Sequence, residues 1–180
     1  MATDPPITPE PRPEWGPPQH KTLTWFDAHV TSELIKDIPG EEFLQGIIDG
    51  RFPPPPISMT SASRLTHIAP GEATFRCIPD PSFLNPLGLV HGGLLCMLLD
   101  SAMGVAVQTT QPAGVGYASI ELKVSFLKPL PYDGRELEVR GRALQTGRRI
   151  AFAEGHAYDA DGTLLGHSTS SLARVERRSC

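Results

Sequence analysis

From Gly92 to Val107 the chain reads G-G-L-L-C-M-L-L-D-S-A-M-G-V-A-V, apolar on almost every side. A helix with this pattern has no polar face to give to water, so the rest of the molecule must wrap it. The run is too short, and too interrupted by Asp100 and Ser101, to span a bilayer. Asp100 falls two turns into the helix. A carboxylate there is costly unless it is hydrogen-bonded, paired or put to use.

The approach to the helix, N-P-L-G-L-V-H-G-G over Asn85–Gly93, is as restrictive as the helix itself. His91-Gly92-Gly93 puts two residues without side chains where the first unpaired N–H groups of a helix point outward. Those groups, with the positive end of the helix dipole, suit a developing oxyanion, and glycine lets a carbonyl approach closely. The same residues also suit a second reading. Gly92 and Gly93 would then serve tight packing, and Asp100 would be tied to a neighbouring backbone.

The 180 residues suggest one domain with a sizeable core, and the net charge of −4 without a basic block argues against nucleic acid as a partner. Cys77, Cys96 and Cys180 are too far apart for a zinc or disulfide framework and read as reduced, structural residues. The N-terminus has neither the charged nor the apolar region of a signal peptide, so a cytoplasmic protein with no membrane partner is expected.

Residues 1–21 read as a disordered proline-rich tail. Residues 22–57 read as a helical arm. Its first helix is expected from Thr24 to Lys36, capped by Thr22 or Thr24, with Trp25, Phe26, His29, Val30 and Leu34 on one side. A second is expected from Glu41 to Asp49, with Phe43, Leu44, Ile47 and Ile48 on one face, before a stiff spacer at Pro53–Pro56. From residue 58 to 176 the pattern is α+β. Strands are expected at Arg64–Ile68, Ala73–Ile78, Tyr117–Phe126, Arg135–Thr146, Arg149–Tyr158 and Thr163–Val175. Strict alternation would set Ala118, Ile120, Leu122, Val124 and Phe126 on one face, and Ser119, Glu121, Lys123 and Ser125 on the other. The apolar helix is the natural cover for an antiparallel sheet of this kind. Glu176–Cys180 reads as a frayed end.

The order Asn-x5-His-Gly-Gly-x6-Asp, followed by the strand A-S-I-E-L-K-V-S-F-L-K-P, resembles the hotdog fold and, within it, the PaaI-type acyl-CoA thioesterases. The resemblance covers roughly residues 58–175. It implies a long helix wrapped by an antiparallel sheet, and hydrolysis of an acyl-CoA to the free acid and coenzyme A. By position it implies that Gly92 and Asn85 polarise the thioester carbonyl and that Asp100 activates water. Ser119 would help place that water, and His91 would orient the leaving sulfur. It also implies a site shared by two subunits, hence a homodimer and a dimer of dimers (homotetramer).

The chemistry fits those roles. A thioester carbonyl mainly needs its developing oxyanion stabilised, and neutral donors at a helix mouth serve without a metal or cofactor. No G-x-S-x-G nucleophile and no His-Glu metal cluster is present in the sequence. Coenzyme A carries phosphates, for which Arg148 and Arg149 are the first candidates and Lys123 and Lys128 the next. Gly93 would border the same ligand. Arg148 and Arg149 read equally well as a solvated strand edge. His156 and His167 lie in strands with no acidic partner at catalytic spacing and read as structural. Two rival functions are a hotdog hydratase or dehydratase, and a non-catalytic acyl-CoA binding module. The identity of the acyl group is not legible.

Overall fold

The computed structural model describes residues 12–130 and 132–176. Most of the expected N-terminal tail, and the end beyond Glu176, lie outside those residues. Four helices and six strands follow in the order α1 (Ala28–Ile35), α2 (Gly40–Ile48), α3 (Pro56–Ser61), β1 (Ser63–Ala69), β2 (Glu72–Cys77), α4 (Gly92–Gln108), β3 (Val115–Phe126), β4 (Leu137–Thr146), β5 (Ile150–Tyr158) and β6 (Leu164–Glu176). The strands form a single antiparallel sheet in the order β1-β2-β4-β5-β6-β3. The apolar helix, α4, lies against one face of that sheet and touches every strand.

The core is the contact between that helix and the sheet. Leu94, Leu95, Leu98, Leu99 and Met103 of α4 are buried against Val139, Leu165 and Leu172. Burying each such side chain contributes about 1.5–3 kcal/mol. Gly141 on β4 is required by this packing, because a Cβ there would run into the backbone of Ala102. The expectation of a helix buried on every side holds only in part. Cys96, Met97, Asp100, Ser101, Gly104, Val105 and Gln108 form a half-buried stripe turned away from the sheet.

Three local expectations are corrected. The first arm helix begins at Ala28, later than Thr24, because Asp27 is the residue that caps it: its Oδ1 accepts from the His29 N–H at 2.8 Å. Of its apolar residues only Ile35 is buried, while Trp25 is 62% exposed and Phe26, Val30 and Leu34 lie open beside it. The proline spacer does not stay extended to its end: Pro56 opens α3, since a proline at the first helical position loses no hydrogen bond.

The third correction concerns β3. Its pairing with β6 steps from Ser119↔Leu172 to Glu121↔Ser171, so Ile120 is an extra, bulged residue. Strict alternation therefore fails. The inward face is carried by Tyr117 and Ser119 before the bulge, and by Leu122, Val124 and Phe126 after it. Buried Leu172 and Ser168 stand opposite Ser119 and Val124 in the register.

Candidate active site

The mouth of α4 is built by side chains folding back on backbone. His91 is the N-cap: its Nδ1 accepts from the Gly93 N–H at 2.8 Å, and its own N–H donates to the Phe83 carbonyl at 2.7 Å. An imidazole that accepts through Nδ1 carries its proton on Nε2 when neutral, so the outward nitrogen is a donor. Asn85 turns its Oδ1 onto the N–H groups of Leu87 and Leu89, at 2.9 and 3.2 Å. With the carbonyl oxygen spent there, its amide nitrogen is left as a donor.

Asn85 and Gly92 line one pocket of about 460 Å³, together with Phe126, Leu127, Lys128 and Leu130. The Gly92 N–H, first in the helix, meets no acceptor among the described residues. The Phe126 ring lies over Gly92, where an added Cβ would sit 2.9 Å from two ring carbons. A larger residue here would push the end of the exposed Phe126 ring aside, and the bareness of the glycine leaves a backbone donor reachable.

Asp100 has one partner. The Ser119 hydroxyl donates to its Oδ1 at 2.6 Å. The bulge at Ile120 allows this geometry, because it lets Ser119 face α4 while Val124 and Phe126, farther along the strand, also face inward. Bulges commonly re-aim a side chain in this way beside functional sites. Ser119 is exposed and Asp100 half-buried, so the pair stands on the open stripe of α4 beside the edge strand β3.

The structure thus brings the candidates together as two pairs, Asn85 with Gly92 and Asp100 with Ser119. Asp100 lies eight positions after Gly92 on α4, about 12 Å along the axis. That distance is too great for both to act on one carbonyl within a single protomer.

The basic candidates fall in different places. Lys123 lies on the outer face of β3, away from Asp100, whereas Lys128 borders the Asn85–Gly92 pocket. The N–H of Gly93 is spent on His91. Arg148 and Arg149 sit exposed in the β4–β5 hairpin, which is tied to the site: the Tyr117 hydroxyl donates to the Gly147 carbonyl at 2.5 Å, two residues before Ser119. Arg51, Arg64, Arg76, Arg135, Arg140 and Arg142 are each paired with a carboxylate. Arg148 and Arg149 meet none among the described residues. Arg174, whose N–H donates to the Arg149 carbonyl at 2.8 Å, joins them at the same corner. Sequence reasoning missed Tyr117, Phe126 and Arg174, for which only the spacing around a bulge could have given a signal.

Other titratable groups lie outside this site. His156 and His167 face each other across β5 and β6 with ring centroids 4.9 Å apart; burial, and then the charge of His167, hold His156 below its ordinary range. Burial pushes the Cys77 thiol up to about 11. No group of three or more metal-ligating side chains is found among the described residues, nor any helix long and apolar enough to cross a membrane.

Comparison with known proteins gives these residues a context. A model of the thioesterase superfamily matches residues 87–165. Mouse acyl-coenzyme A thioesterase 13 is 28% identical over 89 residues, 49% of this chain and 62% of that enzyme, so the match spans less than two thirds of the relative. The phenylacetic acid degradation-related protein of Ralstonia eutropha has a similar structure, with a TM-score of 0.66 and 26% identity over 72% of this chain and 98% of that one. A Streptococcus pneumoniae protein solved with coenzyme A shares the fold, at TM-score 0.59 and 20% identity over 65% of this chain and 88% of its own.

Proposed function

We propose that this chain, whose residues 87–165 match a model of the thioesterase superfamily, is a thioester hydrolase and that its substrate is an acyl-CoA. The observation that carries this reading is the pairing just described, a two-donor pocket at Asn85 and Gly92 and a carboxylate–hydroxyl pair at Asp100 and Ser119. In our reading two copies of the chain associate, so that Asn85 and Gly92 of one protomer face Asp100 and Ser119 of the other. A homodimer is then necessary, and a dimer of dimers is a compatible assembly.

Water held by Ser119 and Asp100 attacks the carbonyl carbon as the Asp100 carboxylate takes its proton. The carbonyl oxygen becomes an oxyanion held by the Gly92 N–H and the Asn85 Nδ2, each donor being worth about 3 kcal/mol. Collapse breaks the C–S bond and expels the thiolate of coenzyme A. The proton held by Asp100 returns to that sulfur, towards which His91 Nε2–H is oriented. Coenzyme A is part of the substrate, and the steps use no further cofactor. Arg148, Arg149 and Arg174, with Lys128 at the pocket rim, would hold its phosphates. A cytoplasmic location, where acyl-CoA is made and used, fits this substrate.

The test is thiol release from a panel of acyl-CoAs, from acetyl through long-chain and phenylacetyl, with wild type and Asp100→Asn in parallel. The expected result is turnover of at least one member, reduced at least 100-fold in Asp100→Asn with fold and assembly intact, as for loss of a general base. Saturable binding of coenzyme A without any turnover would favour the binding-module reading instead.

A further inference from the structure

On the side of α4 away from β3, a second cavity of about 550 Å³ is enclosed by the arm. Leu44, Ile47 and Ile48 of α2, Met59 of α3, Leu65 of β1 and Val105 of α4 give it an apolar wall. Three of its four polar members have committed groups, Ser58 being the fourth. Gln108 Nε2 donates to the Val115 carbonyl, Ser63 shares a hydrogen bond with Ser61, and Arg64 is paired with Glu136. What faces the space is mostly carbon. The size lies within the range of small-molecule sites, about 300–1,000 Å³.

The arm that closes it is held in place. The Gly40 N–H donates to the Gln111 carbonyl at 3.0 Å, so α2 starts against the far end of α4. Farther along, Gly46 packs on the Phe52 ring, and Phe43 contacts the same ring with centroids 6.0 Å apart. Along α4 the cavity begins at Val105 and reaches Gln108, about 7.5 to 12 Å beyond Asp100. Between them runs the half-buried stripe of Met97, Ser101 and Gly104. At Gly104 an added Cβ would meet nothing nearer than Leu172, at 4.0 Å. A chain passing over this bare position meets no side chain from the helix.

We propose that this cavity takes the tail of the acyl group, and that it selects an unbranched aliphatic chain long enough to run from Asp100 along α4 beneath α2 and α3. The proposal rests on the acyl-CoA reading above. With the thioester carbonyl at Asp100, the first carbons lie over Ser101 and Gly104, and those beyond enter the apolar space. A short acyl group ends before the cavity and gains nothing from it. A chain of about eight to twelve carbons fills it, given the 7.5–12 Å to be covered. A charged tail is disfavoured, because the one charged member of the wall, Arg64, is already paired with Glu136.

The test compares kcat/KM for butanoyl-, octanoyl-, decanoyl- and dodecanoyl-CoA in wild type, Val105→Phe and Ile47→Trp. In parallel, calorimetry measures binding of the non-hydrolysable thioethers butyl-CoA and decyl-CoA. In wild type the longer chains are preferred. In either variant the decanoyl-to-butanoyl ratio falls at least about tenfold, the loss expected when two or three methylenes are kept out of an apolar site. The decyl-to-butyl preference in thioether binding falls by a similar factor. Val105→Phe fills the cavity from the helix and Ile47→Trp from the arm, so one folded variant suffices. An unchanged ratio in a folded variant, or a wild type indifferent to chain length, overturns the proposal. If no acyl-CoA is turned over, the thioethers still decide: a chain-length preference lost in the variants upholds the cavity while the hydrolytic reading fails, and no preference overturns both.

Discussion

At the level of single residues, the site depends on hydrogen bonds that leave one group of each side chain uncommitted. Asn85 spends its oxygen on Leu87 and Leu89 and keeps its amide nitrogen; His91 spends Nδ1 on Gly93 and keeps Nε2–H. His91→Ser should therefore separate two roles. A serine caps the helix as well as the imidazole does, so thermal stability should change by less than about 1 kcal/mol, whereas turnover should fall because nothing orients the leaving sulfur. Calorimetry beside the thiol-release assay reads both. Gly92→Ala should lower turnover more than stability, because its methyl crowds the helix mouth while the exposed end of the Phe126 ring is free to shift. Cys77 offers a chemical check on the core. It is fully buried, donates to the Ser61 carbonyl at 3.2 Å and has its thiol raised to about 11, so iodoacetamide at pH 8 should leave it unmodified until the protein is unfolded.

Among elements, β3 does the most to shape the site. Without its bulge a single alternation would run through the strand, and Ser119 could not share the inner face with Val124 and Phe126. Deleting the extra residue, Ile120, should remove the bulge and leave plain alternation, with Ser119, Leu122, Val124 and Phe126 still on the inner face. The Ser119–Asp100 pair should then survive, so turnover should stay above that of Ser119→Ala, with the circular dichroism spectrum retained. The arm behaves as two elements: α2 and α3 pack on β1, but α1 leaves its apolar side open.

For the whole molecule, the proposed reading, with the distance along α4, makes assembly a condition of activity. Mixing inactive Asp100→Asn protomers with inactive Asn85→Ala protomers and letting them exchange should restore about a quarter of wild-type turnover. Half of the random dimers are mixed, and each mixed dimer has one intact site. A site contained in one protomer would restore none. The outer sheet face gives the molecule a pH response independent of catalysis. His156 is held below its ordinary value of 6.5 by burial and by His167, with Glu154 acting in the opposite sense and Arg142 in the same one. The unfolded chain therefore takes up a proton that the folded protein resists. The penalty is absent above about pH 7 and grows as the pH falls below 6.5. His156→Gln should flatten the fall in melting temperature between pH 7 and pH 5.

Much of this was legible in the chain itself, because local physics determines it. The long apolar run of α4 requires a sheet to wrap it, alternation marks the strands, and Asn85, His91-Gly92-Gly93, Asp100 and Ser119 stand at spacings that suggest one chemistry. What the sequence could not carry depends on contacts between distant segments. The bulge at Ile120 is set by its register against β6, the ring that lies over Gly92 comes from thirty-four residues later, and the arm's cavity exists only where α2 meets α4. Periodicity reports which way a side chain points within its own element. Only the tertiary structure decides what it points at, because that is settled by packing between residues far apart in the chain.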